Sequence, residues 1–138
     1  MENIRGKIYF DMENNRLAYR KAKATSEFWD QQWSDILQRD LYRPIPRRGS
    51  LVTNITQKYL PKSSNILEGG CGTGTQSRHL FELGYNVTSI DWADQTVSWL
   101  QNHVPQINPV LGDLRAMPFE ADSFDGYWSL GVIEHFYD

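Results

Sequence analysis

The chain has 138 residues, 40% of them hydrophobic, a formal net charge of −3 and a single cysteine. That composition suffices for one core, and it excludes an internal disulfide framework and the broad basic field of a general nucleic-acid binder. No apolar run is long enough to cross a membrane, and the start Met1-Glu2-Asn3-Ile4-Arg5 lacks a signal-peptide pattern. His79, His103 and His135 fit no metal-ligand spacing. The expectation is a cytoplasmic domain with no nucleic-acid, membrane or metal partner.

Residues 1–48 read as a polar N-terminal extension and linker, and residues 49–138 as a ligand-binding domain. The first stretch has no readable period, and Arg16, Arg20, Lys21 and Lys23 read as a solvated basic face. Ser26 is placed to start a helix carrying Trp29, Trp33, Ile36 and Leu37 on one side. Such a stripe means packing on a core or, more sharply, a lid over a ligand. Tyr42-Arg43-Pro44-Ile45-Pro46-Arg47-Arg48-Gly49 reads as a linker, because two prolines prevent a regular helix. Its arginines are read as solvated, with an acidic substrate as the alternative partner. From Ser50 a helix with Leu51, Ile55 and Tyr59 leads into a first strand near Ile66–Glu68.

That strand runs into Asn65-Ile66-Leu67-Glu68-Gly69-Gly70-Cys71-Gly72-Thr73-Gly74. An apolar run ends in an acid, and Gly70, Gly72 and Gly74 then recur at every second position. Glycine lets backbone approach a ligand closely or take positive φ. A dinucleotide fingerprint is G-x-G-x-x-G and receives an anionic pyrophosphate. Here the spacing is G-x-G-x-G, and the Glu68 carboxylate would repel a pyrophosphate. A carboxylate suits a ligand with a cationic end, such as S-adenosylmethionine (SAM), whose ammonium and sulfonium lie near the reacting methyl. A glycine turn that binds nothing is the alternative. Cys71 reads as a small loop residue rather than a nucleophile.

Arg78, His79, Leu80, Phe81 and Leu83 belong to the next helix, closed by Gly84. His79 and His103 are read as helix-surface residues. Val87, Ser89 and Ile90 form a mostly buried second strand ending at Asp91, which follows Gly74 by 17 residues. That resembles the acid found about 20 residues past a nucleotide-binding glycine loop, which accepts hydrogen bonds from ribose hydroxyls. A turn or capping acid is the alternative. Trp92 is placed to pack on adenine or ribose. Asp94 is the better cap for the helix carrying Val97, Leu100 and Val104. A third strand, Ile107–Leu111, leads to Asp113, a candidate acceptor for the adenine amine, and Leu114, whose N–H is a candidate donor to a ring nitrogen. Phe124–Leu130 reads as a fourth strand with Ser129 and Leu130 at its carboxyl end.

Glu68-Gly69-Gly70-Cys71-Gly72-Thr73-Gly74, Asp91, Gly112-Asp113…Pro118-Phe119, Ser123-Phe124-Asp125 and Glu134-His135 together resemble class I SAM-dependent methyltransferases. The likeness is greatest to the methyltransferase type 11 group that includes the quinone-biosynthesis C-methyltransferases. It covers about Ser50 to the end, and more loosely Phe28-Trp29-Asp30…Trp33, which looks like a helix closing over the cofactor. The resemblance implies a Rossmann-like, doubly wound parallel sheet in three α/β/α layers, with SAM as cofactor. It implies cofactor contacts at Glu68, Gly70, Gly72, Gly74, Asp91, Trp92, Asp113, Leu114, Ser129 and Leu130. His135, after the fourth strand, sits where some members place a residue near the substrate, and a proton-accepting role is one reading of it. A structural helix-start histidine is the other.

The family's sheet has seven strands, and only four are readable here. The chain is therefore expected to be the N-terminal, cofactor-binding half of the fold, truncated after strand four, methylating a small-molecule acceptor or inactive alone. The fourth strand would be an exposed edge through Tyr127, Trp128 and Leu130, a template for a homodimer. Two alternatives stand beside this. One is a non-catalytic fragment that binds SAM weakly or self-associates. The other is a nicotinamide-dependent oxidoreductase, which the glycine spacing and Glu68 argue against.

Overall fold

The computed structural model describes residues 7–20, 25–41, 43, 44, 46 and 48–135. Lys21 and Lys23 of the expected basic face, Tyr42, Ile45 and Arg47 of the expected linker, and the final Phe136-Tyr137-Asp138 lie outside these residues.

The first described element is a hairpin that shows no readable period in the sequence. Strands β1 (Lys7–Asp11) and β2 (Arg16–Arg20) pair antiparallel. The Asp11 carboxylate accepts from the backbone N–H and side-chain amide of Asn14, and Asn15 takes a φ of 47°, so an Asx-type turn closes the pair. Next come α1 (Ser26–Ser34), capped by the Thr25 side chain accepting from the Phe28 N–H, and a short α2 (Leu37–Leu41). The stripe from Trp29 to Leu37 is thus split between two helices.

Helix α3 (Leu51–Tyr59) begins in a reciprocal box. Ser50 Oγ accepts from the Thr53 N–H, and Thr53 Oγ1 accepts from the Ser50 N–H. It buries Val52, Thr53 and Thr56 and leaves Leu51, Ile55 and Tyr59 exposed. The rest alternates: β3 (Asn65–Gly69), α4 (Thr75–Glu82), β4 (Asn86–Asp91), α5 (Asp94–His103), β5 (Pro109–Leu111) and β6 (Gly126–Ser129). The four strands form one parallel sheet in the order β5-β4-β3-β6. A Rossmann-like crossover order results, with the chain returning from one edge strand to the other side of β3.

The last two strands are shorter than their apolar runs. Pro105–Ile107 form a 3₁₀ turn ending at Asn108 with a φ of 45°, so β5 starts at Pro109 rather than Ile107. Asp125 turns its carboxylate back to accept from the Asn65 N–H at 2.7 Å, which anchors the chain just before β6. Beyond Leu130, Gly131 takes a φ of 68° and ends the extended run.

Two apolar clusters hold the sheet. One joins Val52, Ile66, Leu80, Tyr85 and Val87, between α3, α4 and the strands. The other joins Leu37, Cys71, Leu100, Val104 and Ile107, with Trp33 and Trp99 against it. The second cluster takes Leu37 from α2, so the N-terminal segment shares this core. Removing a buried leucine of this kind costs about 2–5 kcal/mol.

Candidate functional site

Parallel register brings the carboxyl ends of the strands into one row. Gly69 of β3 pairs with Ile90 of β4 and Ser129 of β6, and Asp91 pairs with Leu111 of β5. Asp91, Asp113, Ser129 and the glycine loop therefore gather at one end of the sheet, at the point where strand order reverses. In open α/β sheets that is where ligands bind.

Gly70, Gly72 and Gly74 all take positive φ, at 70°, 50° and 69°. An L side chain would be strained there and would also collide. A Cβ on Gly72 would sit 3.0 Å from the Trp33 ring, and one on Gly74 would sit 2.7 Å from Ile107. On Gly70 it would run into Val132. The loop is pinned to β4, because the Gly70 and Cys71 N–H groups both donate to the Ile90 carbonyl.

Asp91 ends β4 and is 7% exposed. One of its carboxylate oxygens accepts from the Gly72 N–H at 2.8 Å and the other from the Ala93 N–H at 3.0 Å. Burial raises its pKa, and these backbone donors oppose that rise. A carboxylate has about four lone-pair sites. With the Trp92 backbone N–H as a third donor, about one remains for a ribose hydroxyl. Trp92 is half-buried beside it, its carbonyl held by Ser26 Oγ at 2.9 Å.

Glu68 points beneath the loop rather than into the crevice. It is buried, and Ser77 Oγ of α4 donates to it in a short hydrogen bond. Ser89 Oγ in turn lies 2.7 Å from Ser77 Oγ and 3.0 Å from the Ile107 carbonyl, which completes a buried polar chain. Desolvation pushes the Glu68 pKa up to about 7. Burial also raises the Cys71 thiol, with Asp91 and Glu68 adding to the effect, so its neutral form dominates.

Asp113 follows β5, and its carboxylate is bound by the Arg115 guanidinium at 2.6 Å and the Arg115 N–H at 2.9 Å, which together lower its pKa. The Leu114 side chain lies over Gly69 together with the Tyr127 hydroxyl. Ser129 and Leu130 are exposed at the end of β6. His135 stands in a short 3₁₀ turn and meets Trp29 edge-on, ring centroids 4.8 Å apart.

Two expectations need correction. His79 is buried rather than a helix-surface residue, because its face of α4 is covered by the Arg43 carbonyl, 3.3 Å from Nε2. Its Nδ1 has no partner among the described residues. His103 is exposed and stacked on Trp99. Nor does Asp94 cap α5. The cap position is Ala93, and Asp94 is the first helical residue.

Three residues of the N-terminal segment join the site, two of them, Ser26 and Asp30, from the stretch read as a helix closing over the cofactor. Asp30 accepts from the Gln95 and Thr96 N–H groups, Ser26 contacts Trp92 and Asp94, and Asp40 accepts from Thr73 Oγ1 at 3.1 Å. The missing side-chain cap at Ala93 is the one hint the sequence carries that another element must supply it.

Among the described residues no group of His, Cys, Asp or Glu could hold a metal ion, and no helix is long and apolar enough to cross a membrane. Fold and site together define a parallel α/β domain with a glycine loop and Asp91 at the carboxyl ends of its strands. A family model described as a methyltransferase domain matches residues 67–138, more than half of the chain. The chain belongs to that family of SAM-dependent methyltransferases, and its cofactor is S-adenosyl-L-methionine. The chain is 30% identical over 112 residues to EEF1A lysine methyltransferase 4 of Mus musculus, covering 78% of this chain and 44% of the relative. It is 30% identical over 106 residues to a ubiquinone biosynthesis O-methyltransferase of Methylocella silvestris, covering 74% of this chain and 36% of the relative. The solved structure of a putative SAM-dependent methyltransferase from Methanococcus maripaludis superposes with a TM-score of 0.60 at 20% identity, over 88% of this chain and 57% of that one. The chain thus spans less than half the length of the two curated relatives. The family assignment sets aside the nicotinamide alternative.

The residues present fit this cofactor. The glycine loop offers backbone that no side chain could replace, and Asp91 keeps acceptor capacity beside it.

Proposed function

We propose that this chain carries the cofactor-binding half of a SAM-dependent methyltransferase that acts on a small-molecule acceptor. In this reading residues 49–138 form the binding domain and residues 1–48 an extension. The observation that carries it is Asp91 at the end of β4, tied through the Gly72 N–H to the glycine loop and standing where a ribose hydroxyl would meet its carboxylate. Trp92 packs against the nucleoside, and Asp113 and the Leu114 N–H meet the adenine edge. Gly70, Gly72 and Gly74 let the backbone approach, and Ser129 and Leu130 border the crevice on the β6 side. Glu68 acts from below by holding α4 to the loop. When bound, the cofactor supplies a methyl group already activated on a sulfonium.

The chain's own contribution is therefore placement and exclusion of water. Trp29 and Trp33, stacked with centroids 5.6 Å apart, supply an apolar wall, and His135 at its end takes the acceptor's proton. A small acceptor agrees with the net charge of −3 and with the relative named for ubiquinone biosynthesis; the relative named for lysine methylation points to a protein acceptor instead.

A second reading is favoured by β6, a sheet edge on which Tyr127 is 51% exposed, with Leu130 just past its end, although Trp128 of the expected edge is half-buried and donates to Thr56 Oγ1. The chain would then be a non-catalytic module that pairs through this edge. Incubation with methyl-labelled SAM and separate panels of small hydroxylated acids and of proteins separates the cases. Label in the small-molecule fraction, lost in Asp91→Ala, is expected. Label only in protein overturns the small acceptor, and cofactor binding with no transfer to either panel leaves the second reading.

A further inference from the structure

Helix α5 starts without a cap of its own. Ala93 occupies the cap position with no side-chain hydrogen bond, and the Val97 N–H to Ala93 carbonyl bond is the first within the helix. The N–H groups of Asp94, Gln95 and Thr96 are therefore orphans of the first turn. All three are satisfied from α1, more than 60 residues earlier. Ser26 Oγ accepts from the Asp94 N–H at 3.4 Å. Asp30 Oδ2 accepts from the Gln95 N–H at 3.2 Å, and Oδ1 accepts from the Thr96 N–H at 2.8 Å and from Thr96 Oγ1 at 2.9 Å. The same Ser26 hydroxyl donates to the Trp92 carbonyl at 2.9 Å.

The clasp surrounds the turn between β4 and α5, the turn that carries Asp91 and Trp92. Asp30 is buried, so a displaced α1 would leave its carboxylate and three backbone donors without partners. Asp91 is held at the other side by the Gly72 and Ala93 N–H groups. The turn is thus fixed from two directions, once by the glycine loop and once by α1. Residues 26–30 lie outside the matched methyltransferase model, which begins at residue 67.

From this geometry we propose that Asp30, assisted by Ser26, is a positioning residue for the cofactor's nucleoside end. It supplies the N-terminal cap of α5 and so sets the place of Asp91 and Trp92. The inference rests on the proposed function, because it assigns those two residues to the nucleoside.

The test uses the full chain with S-adenosylhomocysteine and, separately, adenosine as titrants in calorimetry, together with amide exchange at residues 94–97. In Asp30→Asn, exchange at these amides accelerates, and both ligands weaken by about tenfold, as expected for loss of a cap of ordinary strength. Ser26→Ala, which removes less and folds more surely, weakens both by a few-fold. Val52→Ala, a cavity variant in the other apolar cluster, lowers the melting temperature but leaves both affinities unchanged. A purely structural role for Asp30 would instead lower the melting temperature and leave both affinities unchanged, as in the Val52 variant. Unchanged affinities in folded Asp30→Asn and Ser26→Ala overturn the inference while leaving the cofactor site intact. A wild-type chain that binds neither ligand overturns the proposed function and the positioning role with it, whatever the exchange at residues 94–97.

Discussion

Glu68 is read from the sequence as a carboxylate that suits a ligand with a cationic end. In the structure it lies under the loop, hydrogen-bonded by Ser77 of α4, a partner nine residues away that no local pattern marks. Its pKa is raised from 4.5 to about 7 by burial. A raised carboxyl pKa means the folded state holds the proton more tightly than the unfolded chain. Its contribution to stability is therefore full below pH 4.5 and falls as pH rises toward 7, by up to about 3 kcal/mol. Denaturant unfolding between pH 4.5 and 8 will show this decline, and Glu68→Gln will flatten it. Asp91, also raised, acts in the same direction over its own range. At Gly72, positive φ and the Trp33 ring at 3.0 Å from a built Cβ act together. Gly72→Ala is expected to cost about 1–3 kcal/mol in melting measurements and to weaken the cofactor at least tenfold.

Elements were legible where one local signal sufficed. The strand ending at Glu68, the glycine loop, the strand ending at Asp91 and the helix from Ser50 all carry their evidence within ten residues. The hairpin of β1 and β2 was not legible, because each strand is only three apolar or aromatic residues between charged ends, with no polar–apolar alternation, and its turn depends on Asn14 and Asn15. The start of α5 was misread for a different reason. An acid near a helix start usually caps it, but here the cap comes from Asp30 across the fold, and Asp94 sits one position too late. The Ser50–Thr53 box is an ordinary local cap, so Ser50→Ala should cost about 1 kcal/mol in denaturant unfolding. Ser50 Oγ also donates to Gln76 Oε1 at 2.8 Å, so the same variant removes a tie between α3 and the first turn of α4.

For the whole molecule, the sheet order β5-β4-β3-β6 brings the carboxyl ends of four strands to one place, and the N-terminal segment packs over that end. The apolar stripe of α1 and α2 leaves core and lid both open, and in the structure Leu37 enters a core cluster while Trp33 packs against that cluster and beside Gly72. At the opposite edge of the sheet, β6 presents Tyr127, and Leu130 is exposed just past its end. Edge strands of this kind pair with other chains. Sedimentation of the chain over a concentration series is expected to show a dimer, and a Tyr127→Lys, Leu130→Lys variant is expected to remain monomeric. A wild-type monomer at all concentrations would remove the edge-pairing reading.

The central claim is that Asp91 and the glycine loop hold the nucleoside of the cofactor. Isothermal titration of the chain with S-adenosylhomocysteine, beside Asp91→Ala, tests it most directly. The account predicts saturable binding by the wild-type chain and a loss of at least tenfold in the variant with its fold retained, since a charge-assisted hydrogen bond to the ribose disappears. Equal binding by both proteins, or none by a folded wild-type chain, would contradict it.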